Sequence, residues 1–296
     1  MKRDNPLRNI LLRFLSLSLF CLQLIQFAQA QEGTRYIRFL PGISGWEGEL
    51  QTSIVSFSNS LGTKLDLVSA VHLGDKEYYE KLNAEFLSKD VVLYELVAEL
   101  GKKPSINSEK ANSSPVSFLQ KAMGSFLRLS FQLEQIDYSP ENFTHADLNP
   151  SQLRLAMEAK DQNLLSTFLA LAAALSPEYH LEESSEETIK SMSMMSLLTA
   201  LTSGDHANSL KYLFGRELGK AGEIKLTEEI ENEIPILGDR NRAVIKRLVE
   251  VTSDSENKQI AIFFGAAHMP GIEKSIVEEL GYRQDSHRWL PAWRIP

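Results

Sequence analysis

Two histidines in this chain follow apolar runs of strand length. "KLDLVSAVHLGD" places His72 at the tip of the run 64–71, and "QIAIFFGAAH" places His268 just beyond the run 258–264. A third run, "DVVLYELV" (90–97), carries Glu95 towards its far end. Neutral imidazole nitrogens with one carboxylate oxygen are a common ligand set for a divalent ion, leaving positions for water. If the runs are parallel strands of one sheet, the three residues meet in the crevice beyond the strand C-terminal ends, where open α/β sheets bind ligands. The plainer alternative is that each histidine caps a helix or bonds a loop carbonyl. Core packing gives little reason for either, because an imidazole at a strand tip adds little buried area.

Other polar residues are placed to join them. "GDRNRAVIKRLVEVT" (238–252) sets Arg240 and Arg242 in the first turn of an amphipathic helix. Cations there oppose the helix dipole at a cost of about 0.3–1 kcal/mol each when exposed. A surface arginine tolerates that cost, whereas a functional one would face a carboxylate or stabilise an oxyanion. "NFTHADLNP" (142–150) holds His145 and Asp147 in a loop ahead of a helix. Asp147 or Asn149 reads first as the helix cap, and a contact to substrate or to a ligating side chain is the sharper alternative. His180, His206 and His287 lie in polar helical or terminal stretches and read as surface residues.

The elements that must carry these residues follow from pattern. Strands are expected at 34–40, 51–57 and 64–71. A helix over 75–88 has Tyr78, Tyr79, Leu82, Phe86 and Leu87 at helical spacing, with Asp75 as candidate N-cap. The Val-rich run 90–97 is a buried strand, so 64–97 reads as a βαβ unit with parallel pairing. Residues 102–114 are a polar loop. The chain then reads as helical from 115–136 to 209–218, including the twelve-residue apolar stretch 164–175, too short to span a bilayer. An α/β pattern returns with a helix at 238–252, a strand at 258–265, a helix at 269–280 opened by Pro270, and a terminal strand or arm. The expected fold is α/β: a central mixed sheet built from both ends of the chain, flanked by helices, with a helical insertion over about 115–235.

Composition narrows the chemistry. Lys2, Arg3, Arg8 and Arg13 precede an apolar stretch from Phe14 to Phe27 and then Ala28-Gln29-Ala30, the form of a secretory signal peptide cut before Gln31. The expected mature protein is one domain, 31–296, secreted or periplasmic and without a stable membrane anchor. The single cysteine, Cys21, falls inside the leader, so thiolate chemistry, disulfides and cysteine zinc sites are excluded from the mature chain. Without the leader, Lys+Arg falls from 31 to 27, Asp+Glu from 39 to 38, and the formal net charge moves from −8 to −11. An acidic chain with no basic stripe is a poor partner for nucleic acid. Gly-x-Gly-x-x-Gly after a strand, a P-loop, His-Glu-x-x-His and Gly-x-Ser-x-Gly are all missing, which leaves nucleotide, helical zinc-protease and serine-hydrolase chemistry unsupported.

Three stretches together resemble a known family. "VSAVHLGDKEYYEKLNAEFLSKDVVLYELV", "GDRNRAVIKRL" and "IAIFFGAAHMPGIEKSIVEELGY" are similar to the TraB/PrgY/GumN proteins and their relatives, the Tiki metalloproteases. That family has two Gly-x-x-His motifs, a glutamate ending the second strand, and an Arg-Asn pair opening a late helix. The second motif stands here as Gly265-Ala-Ala-His268, the glutamate matches Glu95, and the pair matches Arg240-Asn241. In the first motif Ser69 replaces glycine ahead of His72, which keeps the histidine but removes the freedom for close backbone approach. The resemblance covers roughly residues 50–100 and 235–285. It implies one divalent metal site, with Mn or Co in the Tiki branch, while TraB/PrgY members are linked to inhibition of peptide pheromones and the wider superfamily includes erythromycin esterases and haem-binding ChaN-like proteins.

The expected activity is therefore a metal-dependent, peptidase-like hydrolase acting on a peptide or small-molecule substrate with one Mn, Co or Zn ion. His72, His268 and Glu95 would hold the ion, or Glu95 would act as base on its water, and Arg240 would stabilise the oxyanion or orient the glutamate. Two alternatives stand beside it: a non-catalytic protein binding a peptide or haem in the same cleft, and a scaffold whose site has decayed, which Ser69 favours.

Overall fold

The computed structural model describes residues 35–43, 45–99, 103, 127–159, 199–200, 202–221 and 237–296. The expected leader and the helix at 164–175 lie outside these residues. In chain order the strands are β1 (Ile37–Pro41), β2 (Gly48–Ser58), β3 (Lys64–Ala70), β4 (Leu73–Gly74), β5 (Val91–Tyr94), β6 (Ser130–Phe131), β7 (Phe143–His145), β8 (Gln259–Gly265) and β9 (Arg283–Ile295). The α-helices are α1 (Lys76–Phe86), α2 (Gln132–Gln135), α3 (Pro150–Glu158), α4 (His206–Ala221), α5 (Gly238–Thr252) and α6 (Met269–Glu278). Among the described residues no helix is long and apolar enough to cross a membrane.

The fold is α/β, with one mixed sheet drawn from both ends of the chain. Its order is β1-β2-β3-β8-β5-β7, and β9 pairs antiparallel along the whole of β2. Strands β3, β8, β5 and β7 run parallel. The two strands of the expected βαβ unit are not neighbours. β8, from near the other end of the chain, lies between them, with Leu67 beside Ile262 and Ile262 beside Leu93.

Alternation along these strands feeds two cores. Leu65 and Leu67, Val91 and Leu93, and Ile260, Ile262 and Phe264 face Val244 and Leu248 of α5 and Met269, Ile272 and Ile276 of α6. The opposite set, including Val68, Ala70, Val92, Tyr94 and Phe263, faces Tyr78, Tyr79, Leu82 and Phe86 of α1 and Leu210 and Leu213 of α4. A strand buried on both faces needs a nearly continuous apolar run, which is why the three runs stood out in the sequence.

The middle of the chain corrects one expectation. The helix read over 115–136 gives way, in its described part, to β6 and the single turn α2. Leu127, Leu129 and Phe131 are all buried, but residues 127–128 form a turn with Arg128 in the left-handed region (φ 54°), which a continuous helix does not accommodate. Residues 143–145, read as loop, form β7 and extend the sheet beside β5. The insertion is thus not wholly helical. Asp75 precedes α1 but makes no capping hydrogen bond with its side chain. Its carboxylate instead accepts from Lys211 Nζ of α4 (3.1 Å) and from the Arg294 N–H of β9 (2.7 Å), tying three distant segments together.

Candidate active site

Each of the four parallel strands delivers a polar residue just past its C-terminal end. His72 follows β3, His268 follows β8 through the 3-10 turn Ala266–His268, Glu95 follows β5, and Asp147 follows β7. Helix α5 brings Arg240 and Asn241 to the same place, both buried. The chain of contacts is continuous from Asp147 to Asn241.

Arg240 is the hub. Its Nε donates to Asp147 Oδ1 (2.8 Å), and its Nη2 donates to Asp147 Oδ2 (2.5 Å) and to Glu95 Oε1 (2.6 Å). Its Nη1 lies 3.4 Å from His268 Nε2. A guanidinium matches carboxylates in this forked geometry, which an ammonium could not reproduce. Glu95 Oε2 accepts from the Gly265 N–H (2.6 Å). Asp147 is therefore not the cap of α3. Asn149 caps that helix through a reciprocal capping box with Gln152.

The tautomer of His268 follows from Asn241. The Asn241 Nδ2 donates to the His268 carbonyl (3.4 Å), which leaves its Oδ1 2.7 Å from His268 Nδ1. An amide oxygen only accepts, so Nδ1 carries the proton and Nε2 keeps its lone pair. Nε2 faces Glu95 Oε1 at 3.6 Å. Burial pushes the His268 pKa down; Glu95 and Asp147 pull it up, Arg240 and His72 push it down, and the result is about 4. Burial would raise Glu95, but His268, Arg240, His72 and the Gly265 N–H outweigh it and hold the carboxyl at about 2. Burial also works against the Arg240 charge, yet the two carboxylates keep its pKa above the ordinary arginine value. At neutral pH the cluster holds two carboxylates, one guanidinium and a neutral imidazole, a net charge of one negative.

His72 stands apart from this buried cluster. It is exposed at the rim, although its charge would act on both Glu95 and His268. The backbone around it is firmly held: the carbonyls of Ser69, Val71, His72 and Leu73 accept from Tyr78 Oη, Tyr79 Oη, the Gln132 N–H and Trp293 Nε1. Ser69 is buried in β3, and its Oγ has no hydrogen-bond partner among the described residues. His145 ends β7 and its Nε2 bonds the Leu96 carbonyl (2.5 Å), which fixes the chain just after Glu95. His206 and His287 are exposed, as expected, and Arg242 is exposed and paired with Asp239. His180 lies outside the described residues.

The three residues read as metal ligands thus divide into a converged pair, Glu95 and His268, and a rim residue, His72. Among the described residues no three His, Cys, Asp or Glu side chains gather closely enough to hold an ion. The pair itself fits one. Two atoms each about 2.1 Å from an ion at a near-tetrahedral angle stand roughly 3.4 Å apart, close to the observed 3.6 Å. Both also hold the unprotonated states that coordination requires. Asn241 fixing Nδ1–H is the arrangement that orients a ligating imidazole. Two neighbours that sequence reasoning missed are Gln132 and Tyr138, joined by a 3.0 Å hydrogen bond, with burial first and the Glu95 charge second raising the Tyr138 pKa. Neither carries a motif. Compared with known proteins, the chain matches no family model and no curated sequence.

Proposed function

We propose that this cluster is the active site of a secreted or periplasmic metal-dependent hydrolase that cleaves peptides or similar small carbonyl substrates. The observation that carries the reading is the pairing of His268 Nε2 and Glu95 Oε1, 3.6 Å apart, buried and both unprotonated at neutral pH. The net negative charge of the buried cluster also favours a cation. The resemblance of the motifs around His72, Glu95, Arg240-Asn241 and His268 to the TraB/PrgY/GumN and Tiki proteins supports the same reading. His268 and Glu95 would hold a Mn, Co or Zn ion, with His72 reaching in from the rim. The ion would supply Lewis acidity and lower the pKa of a bound water.

The chain's own groups have defined tasks in that chemistry. In the branch where Glu95 does not itself ligate the ion, it would take the proton that the attacking water loses as its oxygen bonds the substrate carbonyl carbon. Arg240, held by Asp147, donates to the oxygen that gains negative charge. Glu95 then returns the proton to the leaving amine as the C–N bond breaks. Asn241 keeps the His268 ring in one tautomer throughout. A second reading, binding of a peptide or haem without turnover, is favoured by one observation: Arg240 occupies both carboxylates, so neither is free as a base in this state.

Turnover of a peptide library with Mn²⁺, Co²⁺ or Zn²⁺ added separates the two readings. The hydrolase reading expects metal-dependent cleavage that His268→Ala and Glu95→Gln each reduce by about a hundredfold or more. Binding without cleavage under every metal would leave the second reading. Gly265→Ala provides a finer check, because a Cβ there would sit 3.3 Å from Glu95 Oε2. The neighbouring carboxylate must shift by a few tenths of an ångström, so Mn²⁺ affinity is expected to fall by roughly threefold to tenfold with the fold intact.

A further inference from the structure

The two atoms best placed to ligate an ion are already in use by a cation. Arg240 Nη2 lies 2.6 Å from Glu95 Oε1, and Nη1 lies 3.4 Å from His268 Nε2. A lone pair that accepts a guanidinium proton cannot ligate a metal at the same time. We infer that Arg240 is an exchangeable counter-cation of the site, so that divalent-ion binding and the Arg240–Glu95 contact exclude one another. This rests on the proposal that the pair binds a metal, and it adds how the site is kept when empty.

Asp147 gives the side chain an anchor that does not depend on Glu95. It grips Arg240 at Nε and Nη2 and is itself fully buried and braced by the Leu148 N–H at 2.7 Å. An ion arriving at Glu95 Oε1 and His268 Nε2 would break only the Nη2–Glu95 and Nη1–His268 contacts. The fork to Asp147 would remain. Nη1, no longer directed at His268 Nε2, would be free to donate to a substrate oxygen. One arginine thus serves as counter-charge in the empty site and as oxyanion donor in the loaded one, with Asp147 as its fixed anchor.

The test is a Mn²⁺ titration by calorimetry on the purified protein and on the double variant Arg240→Gln/Asp147→Asn. Removing a cation and an anion together leaves the cluster's net charge at one negative, so any change reflects the vacated position rather than added charge. The double variant is expected to bind Mn²⁺ roughly tenfold or more tightly than the wild type. Adding Glu95→Gln to it should abolish the gain, which locates the ion. Equal or weaker binding by the double variant would overturn the inference while leaving metal binding by the wild type intact. A wild type that binds nothing beside a double variant that binds would make Arg240 a fixed plug, overturning both the exchange and the metal-dependent reading of the native site. No binding by either would end both. Circular dichroism of each variant checks that the fold survives.

Discussion

Arg240→Met is expected to lower the unfolding free energy by about 3–5 kcal/mol, the range for removing one partner of a buried ion pair. Glu95 and Asp147 would be left buried and charged, with side-chain exposures of only 11% and 0%. Methionine fills a similar volume, so a cavity contributes little. Removing Asp147 as well should return much of the loss, because a charge with no partner costs more than an absent pair. Urea denaturation of the wild type, the single variant and Arg240→Met/Asp147→Asn measures this directly. A loss below about 1 kcal/mol for the single variant would mean that the carboxylates reach water or take up a proton, and that Arg240 is not the hub.

Stability is also expected to fall in two steps as pH drops from 7 towards 2. His268 has a folded pKa of about 4, below the ordinary 6.5. The unfolded chain therefore takes up a proton first, and stability is lost between about pH 6.5 and 4. Glu95 has a folded pKa of about 2, below the ordinary 4.5. Its contribution is present above pH 4.5 and disappears as pH falls towards 2. Each displacement corresponds to about 3 kcal/mol. The two groups face one another, so the sum is smaller than twice that figure. Urea midpoints against pH should show the upper step missing in His268→Gln and the lower step missing in Glu95→Gln. A flat profile between pH 7 and 4 would contradict the burial of a neutral His268.

What could be read in advance depended on how local each signal is. Continuous apolar runs at 64–71, 90–97 and 258–264 marked strands buried on both faces, and their ends located His72, Glu95 and His268. The glycine of Gly265-Ala-Ala-His268 carried physical meaning too, since its N–H approaches the Glu95 carboxylate to 2.6 Å. Legibility failed where a partner lay far away in the chain. Asp147 looked like a cap because Asn149, two residues on, is one, and its true partner Arg240 is 93 residues distant. β7 has three residues, too few to show a period, and it owes its existence to pairing with β5. His72 shares a strand-end position with His268 yet stays exposed, because sequence position fixes the backbone and not where a side chain finds its neighbours.

The placement of β8 between β3 and β5 has a consequence for how the site comes into being. Strand pairing there joins Leu67 to Ile262, so a chain of nearly two hundred residues must close before that ladder forms. Such non-local pairing is slow, and contacts of this kind place α/β domains away from the fastest folders. Glu95 and His268 share no local segment, so no early fragment presents both. An ion that needs the pair would find no template in the collapsing chain and could act only after the sheet has closed. It would then lengthen the lifetime of the folded state rather than speed its formation.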